Sequence, residues 1–379
     1  MIYLDNSATT FPKPYSVINT VNECMRYYSA NPGRSGHKLS METAQKVYDC
    51  RVAVCKLFNV DNESKVVFTS GCTHSLNIVI KGVLKSGDHC IISSFEHNSV
   101  LRPLEKLKQQ GITYSVAQVN PYNDDETVEN FYKCIRDNTK LIVCTHASNV
   151  FGFCLPVERI CKLAHKHNIH FCLDAAQTAG LFNIDAKNSK FDYICCPGHK
   201  GLYGPMGVGI LIINSEVIPD TLIEGGTGSD SLSPNQPEFI PDRFESGTLN
   251  IPGICALKSG IEFVQAKGIE NINKHEMNLI KQIYNSFSMN RSISIYNDYK
   301  MKSVPVLSFV YNGLDSEKTA TILSDRFNIA TRAGLHCSPL AHKSMGTLNT
   351  GTVRISPSIF TTDKDIYYFL KVIKNYNFS

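Results

Sequence analysis

Net charge is scarce in this sequence of 379 residues. Its 38 lysines and arginines stand against 34 aspartates and glutamates, a formal charge of +4, and no basic block stands out. Nucleic acid and anionic membranes are therefore poor main partners. Missing too is an apolar run of about eighteen residues, the length needed to cross a bilayer. Met1 leads directly into strand-like Ile2-Tyr3-Leu4, without the basic and apolar regions of a leader peptide. A cytoplasmic protein is the expectation. No two cysteines are spaced C-x-x-C, which argues against a zinc site and against a thioredoxin-like redox pair. Internal repeats and low-complexity segments are absent as well.

What is present is the composition of an ordinary globular protein, 42% hydrophobic and 19% charged. At about 150 residues per domain the length suggests two domains. Fourteen cysteines are many. Most, such as Cys90, Cys144, Cys161 and Cys172, sit in strand or helix patterns, where thiols act as small buried hydrophobes. In a reducing compartment they stay free.

Between about residues 64 and 214, short apolar segments alternate with helical periods. Strands are expected at 65–69, 90–93, 114–119, 141–144, 170–173 and 208–213. Val128, Phe131, Tyr132 and Ile135 fall at helical spacing, as do Val157, Ile160, Cys161 and Ala164. Strands so uniformly apolar are covered on both faces. Their alternation with helices gives a mostly parallel sheet between helical layers. After Pro252-Gly253 the rhythm changes. Helices are expected near 255–267, 273–288 and 316–327, strands at 292–296, 304–310 and 353–356, and a last helix behind the capping-box pair Thr362 and Asp365. The expected fold is α/β: a large domain over 15–254, and a smaller α+β domain from 1–14 and 255–379.

The strongest chemical signal is Lys200, in a glycine-rich turn spanning 196–207 between two strands of the sheet. Glycines let a ligand approach the backbone closely. Asp174 ends a buried strand 26 residues earlier, where a carboxylate needs a cationic partner; Gln177 follows it. The segment 69–75, with Cys72 and Thr73, ends a strand and opens a helix, a ready anion site. His97 and Asn149 each follow another strand, in the usual ligand crevice of an α/β sheet, and an imidazole there can stack on a ring or shuttle protons. Each has a bland alternative: a solvated loop lysine, a helix N-cap at Asp174, simple capping near Thr73.

Segments 3–10, 34–37, 244–250, 332–337 and 353–356 accompany these in order. Together they resemble, nearly end to end, the class V, fold-type I enzymes of pyridoxal 5′-phosphate (PLP), most closely the cysteine desulfurase and selenocysteine lyase family. The resemblance implies that Lys200 carries PLP as a Schiff base and that Asp174 pairs the pyridine nitrogen, keeping the ring an electron sink. It implies that Gln177 binds the phenolic oxygen, His97 stacks on the ring and Asn149 reaches it. Cys72, Thr73 and His199 would hold the phosphate. Thr248 would reach it from another subunit, making a homodimer with shared sites. Arg354 would clamp the substrate carboxylate, a task suited to a planar fork, with Ala8, His37, Asn149 and Arg332 on the substrate side.

Cys337 lies in a loop without helical or strand period, next to His336, a setting in which a thiolate can form. An inert thiol is the default for one cysteine among fourteen. The resemblance makes it the desulfurase nucleophile: it takes sulfur from L-cysteine as a persulfide, alanine leaves, and an acceptor protein collects the sulfur, iron–sulfur cluster assembly being one destination. The short Arg332–Cys337 spacing looks like the group II branch. Leu335 departs from that branch's frequent histidine, and Pro197 and Cys72 replace frequent hydroxyl residues. Selenocysteine lyase, or another class V aminotransferase or lyase, is the alternative. His165, His167 and His170 straddle a helix end and a strand start, so their rings are not expected to converge on a metal. Tyr367, Tyr368 and Phe369 read as helix packing.

Overall fold

The computed structural model describes residues 1–32 and 36–376; Arg34 and Ser35, half of the 34–37 motif, lie outside them. The chain opens on β1 (Ile2–Tyr3), α1 (Tyr15–Glu23) and α2 (Lys38–Phe58). An alternating series follows: β2 (Val66–Thr69), α3 (Cys72–Val83), β3 (His89–Ser93), α4 (Asn98–Leu107), β4 (Thr113–Ala117) and α5 (Asp124–Lys133). It continues with β5 (Thr139–Thr145), α6 (Val157–Lys166), β6 (His170–Asp174), α7 (Ala186–Ser189), β7 (Tyr193–Pro197) and β8 (Gly209–Ile213).

β2 to β8 form one seven-stranded sheet in the order β2-β8-β7-β6-β5-β3-β4. Its pairs are parallel except those of β8, which runs antiparallel to β7 and β2. The apolar strands are apolar because both faces are covered. Val66, Phe68, Ile142, Cys144, Ile210 and Ile212 enter one core, and their neighbours Val67, Leu141, Val143, Leu211 and Ile213 enter the other. On α6, Val157, Ile160, Cys161 and Ala164 are all buried; on α5, Phe131 is buried while Tyr132 faces solvent.

The rest comprises α8 (Ile251–Lys267), α9 (Ile269–Phe287), β9 (Ile293–Ile295), β10 (Leu307–Tyr311), α10 (Ser316–Phe327), β11 (Ile329–Ala330), α11 (Pro339–Ser344), β12 (Val353–Ile355) and α12 (Asp363–Asn375). β12-β10-β9 is an antiparallel sheet, and β1 pairs with β11. A separate core joins Leu4 to Leu307, Phe309, Ile366 and Phe369. Pro252 does not break the chain as its sequence suggested. It sits in the first turn of α8, where its missing N–H costs nothing, and Asn250 caps that turn. Residue 254 therefore falls inside a helix whose Ile251, Leu257 and Ile261 pack into the large core. The Thr362–Asp365 capping box forms. Of the aromatic trio on α12 only Phe369 packs inside; Tyr367 and Tyr368 are exposed. Among the described residues no helix is long and apolar enough to cross a membrane.

Candidate active site

The carboxyl ends of β2, β3, β5, β6 and β7 surround a cavity of about 370 Å³. Asp174 and Lys200 lie in its floor. Asp174 is 3% exposed and its Oδ1 accepts the Ala176 N–H at 2.8 Å. Burial raises its carboxyl, while the Ala176 N–H, Lys200 and Cys72 draw it back. Burial lowers the Lys200 amine, against the pull of Asp174. The turn carrying Lys200 is packed without slack: a side chain on Gly201 would meet the Ala179 carbonyl, and one on Gly180 the Gly201 carbonyl.

Gln177 lines the same cavity and donates to the Ser7 carbonyl at 3.3 Å. α3 starts behind Gly71 with no side chain capping it, and within its first turn the His74 N–H reaches the Gly71 carbonyl at 2.9 Å. Thr73 and His199 lie beside this turn, and the His199 Nδ1 is buried without a partner. Cys72 lines the same cavity, its Sγ donating to Asp174 Oδ1 at 3.5 Å.

His97 caps α4, its Nδ1 accepting the Ser99 N–H at 3.0 Å. Thr73 Oγ1 meets Ser99 Oγ at 2.7 Å, so one serine ties the two walls. Burial, then Lys200, pushes the His97 imidazole down to about 4, which keeps it neutral near pH 7.

Residues 2–369 match the family model aminotransferase class-V. The chain belongs to that family. A probable cysteine desulfurase of Pyrococcus abyssi is 33% identical over 99% of this chain and 94% of its own. One from Methanothermobacter thermautotrophicus is 31% identical over 96% and 92%. Among solved structures, the apo cysteine desulfurase of Thermococcus onnurineus NA1 superposes with a TM-score of 0.90 at 30% identity, covering 98% of this chain and 94% of that one. The Escherichia coli cysteine desulfurase CsdA gives 0.87 at 25% identity, covering 98% and 93%.

In this class-V chain the substrate-side candidates Ala8, Arg332 and Arg354 also line the cavity. Arg354, on β12, is 1% exposed and already engaged: Asp5 at 2.5 Å, the Asn149 carbonyl at 2.8 Å. Its Nε is buried and unpartnered. Arg332 pairs with it across an antiparallel bridge. Cys337 is exposed at the cavity rim, with Arg332 Nη2 3.9 Å from its Sγ. His336 does not assist it. Its ring turns inward, 3% exposed, stacks on His342 at 5.7 Å, and burial holds it down to about 2. Arg332 is the polar neighbour of the thiol instead.

Two candidates lie outside the cavity lining. His37 is exposed and caps α2, its Nδ1 accepting the Ser40 N–H at 3.2 Å. Thr248 borders an adjoining groove of about 500 Å³ that it shares with Ser70 and His74. Asn149 lines the cavity, but both ends of its amide serve the cysteine loop: Nδ2 donates to the His336 carbonyl at 2.8 Å and Oδ1 accepts from Ser338 Oγ at 2.6 Å.

Sequence reasoning passed over Asp5, Ser99, Ser338 and Lys13. Asp5 was inside a quoted motif, and its partner was not foreseeable from spacing. Lys13 donates to the His199 carbonyl at 2.8 Å, and burial lowers it to about 8. The three histidine rings do not come together: His165 and His170 meet Asp192 at 2.8 and 3.5 Å, while His167 turns to Tyr132. Among the described residues no group of three or more His, Cys, Asp or Glu side chains could hold a metal.

Proposed function

We propose that this class-V protein is a PLP-dependent cysteine desulfurase, converting L-cysteine to L-alanine and holding the sulfur as a persulfide on Cys337. What carries the reading is one juxtaposition: an exposed thiol at the rim of a cavity whose floor holds a buried lysine and a buried carboxylate. The relatives named cysteine desulfurase support it.

The cavity suits the cofactor. Its volume is that of a small-molecule site, Asp174 offers a buried carboxylate to a ring N–H, and Lys200 is an amine of lowered basicity fit to form a Schiff base. The uncapped start of α3, Thr73 and the unpartnered His199 Nδ1 suit a phosphate. Bound PLP supplies an electron sink for the bonds at the substrate Cα.

The protein's own groups do the rest. Arg332 and Arg354 orient the substrate carboxylate, Arg354 being preset by Asp5. The Lys200 amine removes the Cα proton. Cys337 Sγ attacks the substrate sulfur, so an S–S bond forms as the substrate C–S bond breaks. Neutral His97 relays a proton toward the departing alanine, Nδ1 taking one from the Ser99 hydroxyl at 2.8 Å as Nε2–H gives one up. Cysteine and one enzyme thiol thus yield alanine and one persulfide, which an acceptor thiol collects. The rim position of Cys337, on a short loop after Arg332, supports a group II enzyme serving a dedicated acceptor protein. Thr248, beside Ser70 and His74, supports a homodimer sharing its sites. A large unit around the seven-stranded sheet and a small one around β12-β10-β9 would flank the cavity. Fourteen free thiols support a reducing, cytoplasmic setting.

Cys337→Ser tests the reading. The purified variant is expected to keep the yellow cofactor and to lose persulfide formation from L-cysteine, followed by mass spectrometry. Desulfuration at the normal rate would refute the role of Cys337, and turnover of selenocysteine with negligible turnover of cysteine would reassign the substrate.

A further inference from the structure

Asp174 carries its hydrogen bonds asymmetrically. The Ala176 N–H at 2.8 Å and the Cys72 thiol at 3.5 Å both reach Oδ1, and Oδ2 has no donor among the described residues. Cys72 opens α3, and Asp174 ends β6. The contact therefore joins the anion-binding turn to the carboxylate across the cavity floor. A thiol is a weak donor, but toward a buried carboxylate even a weak donor favours the charged form. Cys72 is itself driven far above the ordinary thiol range by burial and by Asp174, so it stays S–H and can only donate.

We propose that Cys72 is a positioning residue whose thiol joins the Ala176 N–H on Oδ1 of Asp174 and so favours its ionised form, with Oδ2 left for the ring nitrogen of the bound cofactor. This rests on the PLP reading above. The consequence is chemical: a carboxylate kept ionised leaves the shared proton on the ring nitrogen, and a protonated ring withdraws electrons from the substrate Cα more strongly. The first residue of α3 thus sets how readily Lys200 removes the Cα proton, without touching substrate.

The test uses holoenzyme loaded with PLP labelled at its ring nitrogen. Nitrogen NMR reports the protonation of that atom, and exchange of the substrate Cα hydrogen with deuterated solvent reports its acidity. Cys72→Ala is expected to move the ring-nitrogen signal toward neutral pyridine and to slow exchange about fivefold, the size of one modest hydrogen bond. Cys72→Ser restores a donor and is expected to bring both readouts back to wild type. In an Asp174→Asn background, Cys72→Ala is expected to change neither readout further. The inference is overturned if Cys72→Ala leaves both readouts at wild type while Asp174→Asn shifts the nitrogen signal, or if Cys72→Ser behaves like Cys72→Ala. If Asp174→Asn itself leaves the nitrogen signal unmoved, the reading of Asp174 fails, and the inference with it.

Discussion

Cys337 is presented by its backbone rather than by its side chain. It and His336 both adopt left-handed conformations, φ 58° and 51°, which non-glycine residues occupy only when their surroundings require it. The requirement is visible: the Asn98 N–H holds the Cys337 carbonyl at 2.7 Å, Asn149 holds that of His336, and buried Ser338 fixes which way the Asn149 amide faces. Ser338→Ala removes the donor to the half-buried Asn149 Oδ1, a cost of about 0.5–1.5 kcal/mol. The variant is expected to exchange the substrate Cα hydrogen at the normal rate and to form the Cys337 persulfide several-fold more slowly. Equal slowing of both steps would argue against a role confined to the loop. Residues at the ends of apolar strands, Asp174, His97 and Asn149, were legible in the sequence because a strand end in an α/β sheet has a known address. The partners of Cys337 were not. Ser338 and Asn149 are 189 residues apart, and the adjacent His336, the natural guess from sequence, turns its ring away.

At the scale of elements, the edge strand β2 poses a separate problem, because its outer backbone has no strand to pair with. Side chains substitute. Glu245 Oε1 accepts the Phe68 N–H at 2.7 Å, Arg51 Nη1 donates to the Val66 carbonyl, and Arg51 and Glu245 pair with each other, both buried. The motif 244–250 thus contains a structural glutamate three residues before Thr248, the only member that sequence reasoning singled out. Motif resemblance marks where residues matter and does not separate a ligand contact from an edge cap. Glu245→Ala strands a buried guanidinium and is expected to cost about 3–5 kcal/mol in urea unfolding. Joint replacement, Arg51→Met with Glu245→Leu, is expected to recover most of that loss, since an apolar pair of similar volume removes the unpaired charge. A double variant no more stable than Glu245→Ala alone would mean that the ion pair is not what closes the edge.

At the scale of the whole molecule, the alternation of short apolar strands with helices made the central sheet readable, because two-sided burial leaves a continuous apolar signature. The helix expected near 255–267 was readable in its body but not in its first turn, where a proline looks like a break. The same burial sets how stability responds to pH. Glu96 and Glu276 are buried, and burial raises each to about 8. The folded state therefore holds protons there that the unfolded chain has released, and their contribution is full below about pH 4.5 and lost as pH rises toward 8. Buried histidines act in the opposite sense. Burial lowers His89, His97, His199 and His342 to about 4 and His146 to about 3. Their contribution is full above about pH 6.5 and lost as pH falls toward 4. Histidines outnumber the two acids in the acid window, and between about 6.5 and 8 the two acids outweigh Lys13, which burial lowers to about 8 and which acts in the opposite sense only as pH nears 8. The melting temperature of the cofactor-free protein is therefore expected to rise from pH 4.5 to a maximum near 6.5 and to decline toward 8. Glu96→Gln and Glu276→Gln, each neutral at every pH, are expected to flatten the decline above 6.5 and to steepen the rise below it, and together to abolish most of the decline. An unchanged slope between pH 6.5 and 8 in both variants would mean that neither acid is held protonated by the fold.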